Sequence, residues 1–189
     1  MNVISELAEY ATSNDVPIIK DETLAFLLDF IREKQISSIL EIGTAIGYSA
    51  LQMLQVDCVK RIVSLERNYG LAQIATANIK RAKKDKFVEV VNQDALKFKT
   101  SEKFDLLFID GAKAQYQRFF DRFIDNVTYV FVDNLDFHGM VDNPGLAANR
   151  NTRQLCKKLA KFKYDMLHDE NYHCQYFKKG DGILLITKS

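Results

Sequence analysis

Hydrophobic positions at the start of the chain recur with helical period. Ile4, Leu7, Ala8 and Ala11 define a short amphipathic helix that closes at "SNDVP", where Pro17 pushes Val16 toward extended backbone. In "KDETLAFLLDFIREK", Leu24, Leu27, Leu28 and Ile31 share one face, with acids at the start and bases at the end, as a second helix requires. Beyond it the pattern changes to short β-rich runs separated by helical stretches. The runs are "SSILEI", "RIVSLE", "FVEVVN", "FDLLFID", "TYVFVDN" and "GILLITK", with "YHCQYF" as a weaker seventh. Most are continuously apolar, as expected for strands covered on both faces. The alternation predicts an α/β fold built on a parallel, doubly wound sheet. Ligands of such sheets bind beyond the carboxyl ends of the strands.

Composition narrows this picture in three ways. With 189 residues, 47% hydrophobic and 27% charged, the chain fits one domain and no more. A formal charge of +1 supplies no overall basic field, so any nucleic-acid contact must be local. Cys58, Cys156 and Cys174 form no CxxC pair, which points to a reducing, cytoplasmic setting. "MNVISELAEYATSNDVP" lacks the basic start and apolar core of a signal peptide, and the apolar runs are too short for a bilayer. A non-membrane protein is expected.

The strand ends hold the candidate chemistry. "EIGTAIGYSA" places Glu41 before a turn bracketed by Gly43 and Gly47, where the backbone can approach a ligand closely. Ala45 and Tyr48 break the GxGxxG pattern, which disfavours a dinucleotide pyrophosphate. Glu66 ends the second strand where such folds present an acid to a ribose diol. Asp94 in "NQDAL" can read an adenine edge. Each acid alone can equally cap the next helix. In succession they suit an amino-acid moiety, a ribose and a base, the parts of S-adenosylmethionine, which has no phosphate.

The next two strand ends supply Asp110, Asp133 and Asn134, oxygen donors of the kind that Mg²⁺ or Ca²⁺ prefers. A divalent cation there would acidify a bound hydroxyl. Lys113 would then hold the oxyanion or remove the proton. The plainer alternative is a surface ion pair between Asp110 and Lys113 beside an ordinary turn.

Taken together, "LEIGTAIGYSA", "VSLE", "NQDA", "FIDGAKAQY" and "VDN" resemble the cation-dependent O-methyltransferases, the group of the catechol and caffeoyl-coenzyme A enzymes. The resemblance runs from about Val16 to the end of the chain. It implies a Rossmann-like class I methyltransferase fold with a seven-stranded, mostly parallel sheet, an antiparallel last strand and helices on both faces. The whole of 1–189 would be one domain, with amino-terminal helices in 1–34 and the core in 36–189. S-adenosylmethionine would be held by Glu41, Gly43, Gly47, Ser49, Glu66, Asp94, Ala95 and Asp110. A divalent cation, Mg²⁺ or Mn²⁺, would be held by Asp110, Asp133 and Asn134, with Lys113 as the base. A homodimer is also implied. "VPIIKDETLAFLL", "ILEIGTAIGYSA" and "AKAQYQRFF" resemble the bacterial branch that methylates 5-hydroxyuridine at the tRNA wobble position. The chain departs from the family pattern in starting almost at its first helix and in a longer "LHDENYHCQYFKKGDG" before the last strand.

An RNA substrate, entering by its anticodon loop, needs phosphate contacts. Lys20, Arg150 and Arg153 are the candidates, with Lys157 and Lys158 beside them, whereas "IKRAKKDK" reads as a solvated helix face. Phe137 and His138 follow the metal pair and could stack on a base, though core packing of Phe137 and plain exposure of His138 explain them better. His168, His173 and Cys174 lack a fourth ligand for zinc. A small catechol-like acceptor, or a cofactor-binding protein without turnover, remains open beside the tRNA reading.

Overall fold

The computed structural model describes residues 2–188, apart from the Pro144 side chain; Met1 and Ser189, the ends of the expected domain, lie outside the described residues. Seven strands form one sheet in the order β3-β2-β1-β4-β5-β7-β6. They are β1 (Ser38–Ile42), β2 (Arg61–Leu65), β3 (Val88–Val91), β4 (Phe104–Ile109), β5 (Val127–Val132), β6 (Tyr172–Phe177) and β7 (Ile183–Lys188). Neighbours among β1 to β5 pair in parallel, and β7 runs antiparallel to both β5 and β6. The weak seventh run is thus a strand, and the longer segment before β7 is β6 with its turn.

The continuous apolar runs are explained by two cores, one on each face. Alternate residues of a strand point oppositely, so Leu106 and Phe108 join one cluster while Leu107 and Ile109 join the other. The first cluster is covered by α1 (Val3–Ser13), α2 (Asp21–Glu33), α3 (Tyr48–Met53) and Ile79 of α4 (Tyr69–Arg81). The second is covered by α5 (Tyr116–Phe123) and α6 (Arg150–Leu167) through Phe119, Phe120, Phe123, Leu159, Phe162 and Met166. Among the described residues no helix is long and apolar enough to cross a membrane.

Strand order reverses between β1 and β4, which pair with Ile42 opposite Ile109. At such a switch point the following loops diverge to opposite sides and leave a crevice.

Candidate functional site

The crevice opens where β1 and β4 end. Gly43 has φ +106°, and a Cβ on it would lie 2.9 Å from the Asp110 carbonyl oxygen and 3.1 Å from the Gly111 Cα. Only glycine fits this turn, and the two strand ends touch because of it. A cavity of about 470 Å³ lies there, within the range of about 300–1,000 Å³ usual for small-molecule sites. Gly43, Glu66, Asp94, Ala95, Asp110, Lys113, Asp133, Asn134 and Lys20 all line it, so most of the expected site residues meet in one place.

Glu41 and Gly47 do not line the cavity. Glu41 lies inside β1 and is fully buried, with Ser49 Oγ and Ser64 Oγ donating to its two carboxylate oxygens. Burial pushes its carboxyl up to about 7. It fastens β1 to β2 and to the first turn of α3, and its charge is felt at Asp110 on the cavity wall. Gly47 has φ +87° and starts α3. Ser49, nearly buried, lines only a small recess beside the main cavity.

Glu66, one residue past β2, accepts from the Ala45 N–H (3.1 Å) and the Asn68 N–H (2.8 Å), which stiffens the β1 turn from across the cavity. Asp94 Oδ1 accepts from the Leu96 N–H at 2.9 Å. No hydrogen bond among the described residues reaches its Oδ2.

The ends of β4 and β5 sit side by side, Ile109 opposite Val132, so Asp110 and Asp133 emerge together. Asn134 links them: its N–H donates to Asp133 Oδ1 and its Nδ2 to Asp110 Oδ1, both at 2.6 Å. Burial, and for Asp110 the neighbouring Asp133 charge, raises both carboxyls above the ordinary range, while Lys113 pulls the other way. Half-buried Asp110 and buried Asp133 share one lysine, so both would gain from a further positive charge beside them. Among the described residues Lys113 makes no ion pair, which sets aside the surface-pair alternative.

This donor set suits a hard divalent cation. Oδ2 of both aspartates has no hydrogen bond among the described residues, and both residues face the cavity. Among those residues no group of three His, Cys, Asp or Glu side chains that could hold a metal ion is found, and the further side-chain oxygen beside the two aspartates is that of Asn134. Its φ of +64° is strained for a non-glycine residue, a feature common at functional sites. Ligation through Oδ1 requires the amide to turn from its present bond.

Other wall residues were not evident from sequence. Arg67, Gln115 and Phe119 line the cavity. Asp181, 4% exposed, accepts from the His138 N–H at 2.6 Å and lies 3.8 Å from Lys20 Nζ. Asp136, also buried, receives Lys163 Nζ (3.2 Å) and the Tyr176 hydroxyl (2.5 Å). Phe137 packs against the second core, 5.9 Å from Lys113 Nζ, and the His138 side chain is exposed at the rim. Arg150 and Arg153 are exposed on α6 and do not line the cavity.

Comparison with known proteins bears on this geometry. The profile of the O-methyltransferase family matches residues 2–189. A candidate caffeoyl-CoA O-methyltransferase from Staphylococcus aureus is 32% identical, with a TM-score of 0.92 over 98% of this chain and 92% of that one. The SAH-bound methyltransferase PaMTH1 of Podospora anserina is 20% identical, with a TM-score of 0.86 over 100% of this chain and 88% of that one. A Bacillus cereus O-methyltransferase in complex with SAH is 22% identical, with a TM-score of 0.80 over 99% of this chain and 90% of that one.

Proposed function

This chain belongs to the O-methyltransferase family, and on that premise we propose that it moves the methyl group of S-adenosylmethionine to the 5-hydroxyl of 5-hydroxyuridine at the tRNA wobble position, with help from a divalent cation. The observation that carries this reading is the convergence of Asp110, Lys113, Asp133 and Asn134 on the cavity that Glu66 and Asp94 also line.

The cavity suits S-adenosylmethionine along its length. Asp94 Oδ2 and the Ala95 backbone face the adenine, Glu66 the ribose diol, and the Gly43 turn with Asp110 the amino-acid end. Two of the similar structures hold SAH, the product left after methyl transfer. Asp110, Asp133 and Asn134 would hold the cation through three side-chain oxygens, and the acceptor has vicinal oxygens, the 5-hydroxyl and the C4 carbonyl, of the kind a hard cation would attract. When bound, the cation supplies Lewis acidity that makes the hydroxyl easier to deprotonate. Lys113 Nζ, on the same wall, holds the resulting oxyanion as the ammonium, or takes the proton as the neutral amine. The chain then contributes alignment: rigid strand ends hold nucleophile and methyl donor for in-line displacement, and buried charges are fixed before reaction begins.

A second reading keeps the chemistry and replaces the RNA with a small catechol-like molecule, whose adjacent oxygens chelate in the same way. The Staphylococcus aureus relative favours it by its description. Incubation with S-adenosylmethionine, Mg²⁺ and either hydroxyuridine-containing tRNA or free catechol, followed by mass spectrometry, separates the two. The expected result is 5-methoxyuridine in the tRNA, lost with chelator and in Asp133→Ala. Transfer to catechol alone would sink the RNA reading, and full activity in chelator would sink the cation.

A further inference from the structure

The chain's positive charge is unevenly placed. α6 contains Arg150, Arg153, Lys157, Lys158, Lys161 and Lys163 but only one acid, Asp165. The whole chain has a formal net charge of +1, so the rest of the molecule is net acidic. Within the helix, Lys161 pairs with Asp165 and Lys163 with Asp136. Arg150, Arg153, Lys157 and Lys158 are exposed and have no ion pair among the described residues.

The position of these four side chains distinguishes them from an ordinary solvated face. Lys163 meets Asp136, just past the end of β5, so that part of α6 lies level with the cavity. Arg150 is thirteen residues earlier, about 20 Å along the helix at 1.5 Å per residue. The helix runs back along the sheet toward the start of β6, so its amino-terminal half projects beyond the strand ends. There Cys156 and Leu159 share a core cluster with Leu135 and Val141 of the loop after β5. The result is a basic ridge beside the catalytic cavity. A groove of about 400 Å³ lies between the two: Lys113, which also lines the cavity, and Lys158 of the ridge both line it, with Lys161, Asp165 and Asp169. Arg150, Arg153 and Lys157 recur at three and four residues on one face, spaced about 5–6 Å apart.

We infer that the projecting half of α6, through Arg150, Arg153, Lys157 and Lys158, binds the phosphate backbone of an RNA whose target base enters the cavity past Lys113. This rests on the RNA reading of the acceptor given above. It adds the surface that holds the polyanion, which a free catechol would have no use for. Arginine and lysine at this spacing meet successive phosphates without reading sequence.

The test measures binding of an anticodon stem-loop RNA by fluorescence anisotropy across salt concentrations, and methylation of hydroxyuridine in the same RNA. The protein is used as the full chain, wild type and with Arg150, Arg153, Lys157 and Lys158 all replaced by alanine. The replaced chain should bind about tenfold or more weakly, and its slope of log affinity against log salt should flatten by roughly 0.7–0.9 for each lost phosphate contact. A double Arg150→Lys, Arg153→Lys variant should keep the slope. Replacement of Lys83, Lys84 and Lys86 by alanine, at the opposite end of the strands, should change neither. Unchanged melting of each variant excludes misfolding as the cause. Equal affinity and slope in wild type and the fourfold variant would overturn the ridge while leaving the methylation reading intact. RNA binding that depends on the ridge without hydroxyuridine methylation would overturn the methylation reading and uphold the ridge.

Discussion

An acid inside a strand and an acid one residue past it have different fates in this protein. Glu66, Asp110 and Asp133 each follow the last residue of a strand and face the cavity, whereas Glu41 is the penultimate residue of β1 and turns beneath α3. Sequence alone presents all four as acids ending apolar runs. The distinction rests on two positions along the strand, since Ile42 pairs with Leu65 and Ile109 and so Glu66 and Asp110 lie level with Gly43, an offset finer than strand ends can be read from hydrophobic pattern. Burial raises the Glu41 carboxyl to about 7, well above its value in an unfolded chain. The folded state therefore binds the proton more tightly, and this group's contribution to stability is complete below about pH 4.5 and is lost as pH rises through about 7. The loss amounts to about 3 kcal/mol. Glu41→Gln keeps side-chain partners for Ser49 and Ser64 but cannot ionise. Urea unfolding of the ligand-free protein at pH 5 and pH 8 should give a wild-type decline that is smaller in the variant by about that amount; equal declines would mean Glu41 does not titrate in this range.

At the scale of elements, three segments far apart in sequence are tied together at the cavity rim. The Leu135 and Asp136 N–H groups donate to the carbonyls of Gly182 and Asp181, and the Asp181 carboxylate takes the His138 N–H. The same carboxylate lies near Lys20 at the start of α2, where Glu22 accepts from the Gly180 N–H at 2.9 Å. Phe137 and His138 both have positive φ, a strain that persists only where the surroundings fix it. None of this was legible in sequence, because no apolar run ends at Asp136 or Asp181 and the contacts join loops rather than strands. The two amino-terminal helices, the seven strands and the acids at their ends were legible from local periodicity, whereas the later helices were expected only as stretches without bounds, and "IKRAKKDK" leaves the helix at Arg81. Asp181→Ala should cost about 1–3 kcal/mol of stability through lost charged hydrogen bonds. It should also raise KM for the methyl acceptor several-fold more than KM for S-adenosylmethionine, and speed amide exchange at residues 135–141. Equal changes in both KM values, with exchange unaltered, would reduce Asp181 to a general packing role.

For the whole molecule, the cavity exists only when the fold is complete. Its lining comes from the segment before α2, from the ends of β1, β2, β4 and β5, and from the turn after β3, so an unfolded chain presents nothing comparable. A ligand that binds only the folded state adds stability in proportion to the logarithm of its concentration over Kd, about 2.7 kcal/mol at one hundred times Kd. For a chain of this size that corresponds to a rise in Tm of roughly 5–10 °C. Asp94→Asn tests the proposed orientation of S-adenosylmethionine without disturbing the fold. The amide oxygen can still accept from the Leu96 N–H, as Asp94 Oδ1 does, while the atom facing the cavity changes from acceptor to donor. The unliganded variant should melt close to wild type. At the same ligand concentration a tenfold weaker Kd leaves about 1.4 kcal/mol, so the thermal shift should fall by about half. If the shift survives undiminished, the adenine is not held by Asp94, and the order of ligand parts along β1, β2 and β3 would have to be redrawn.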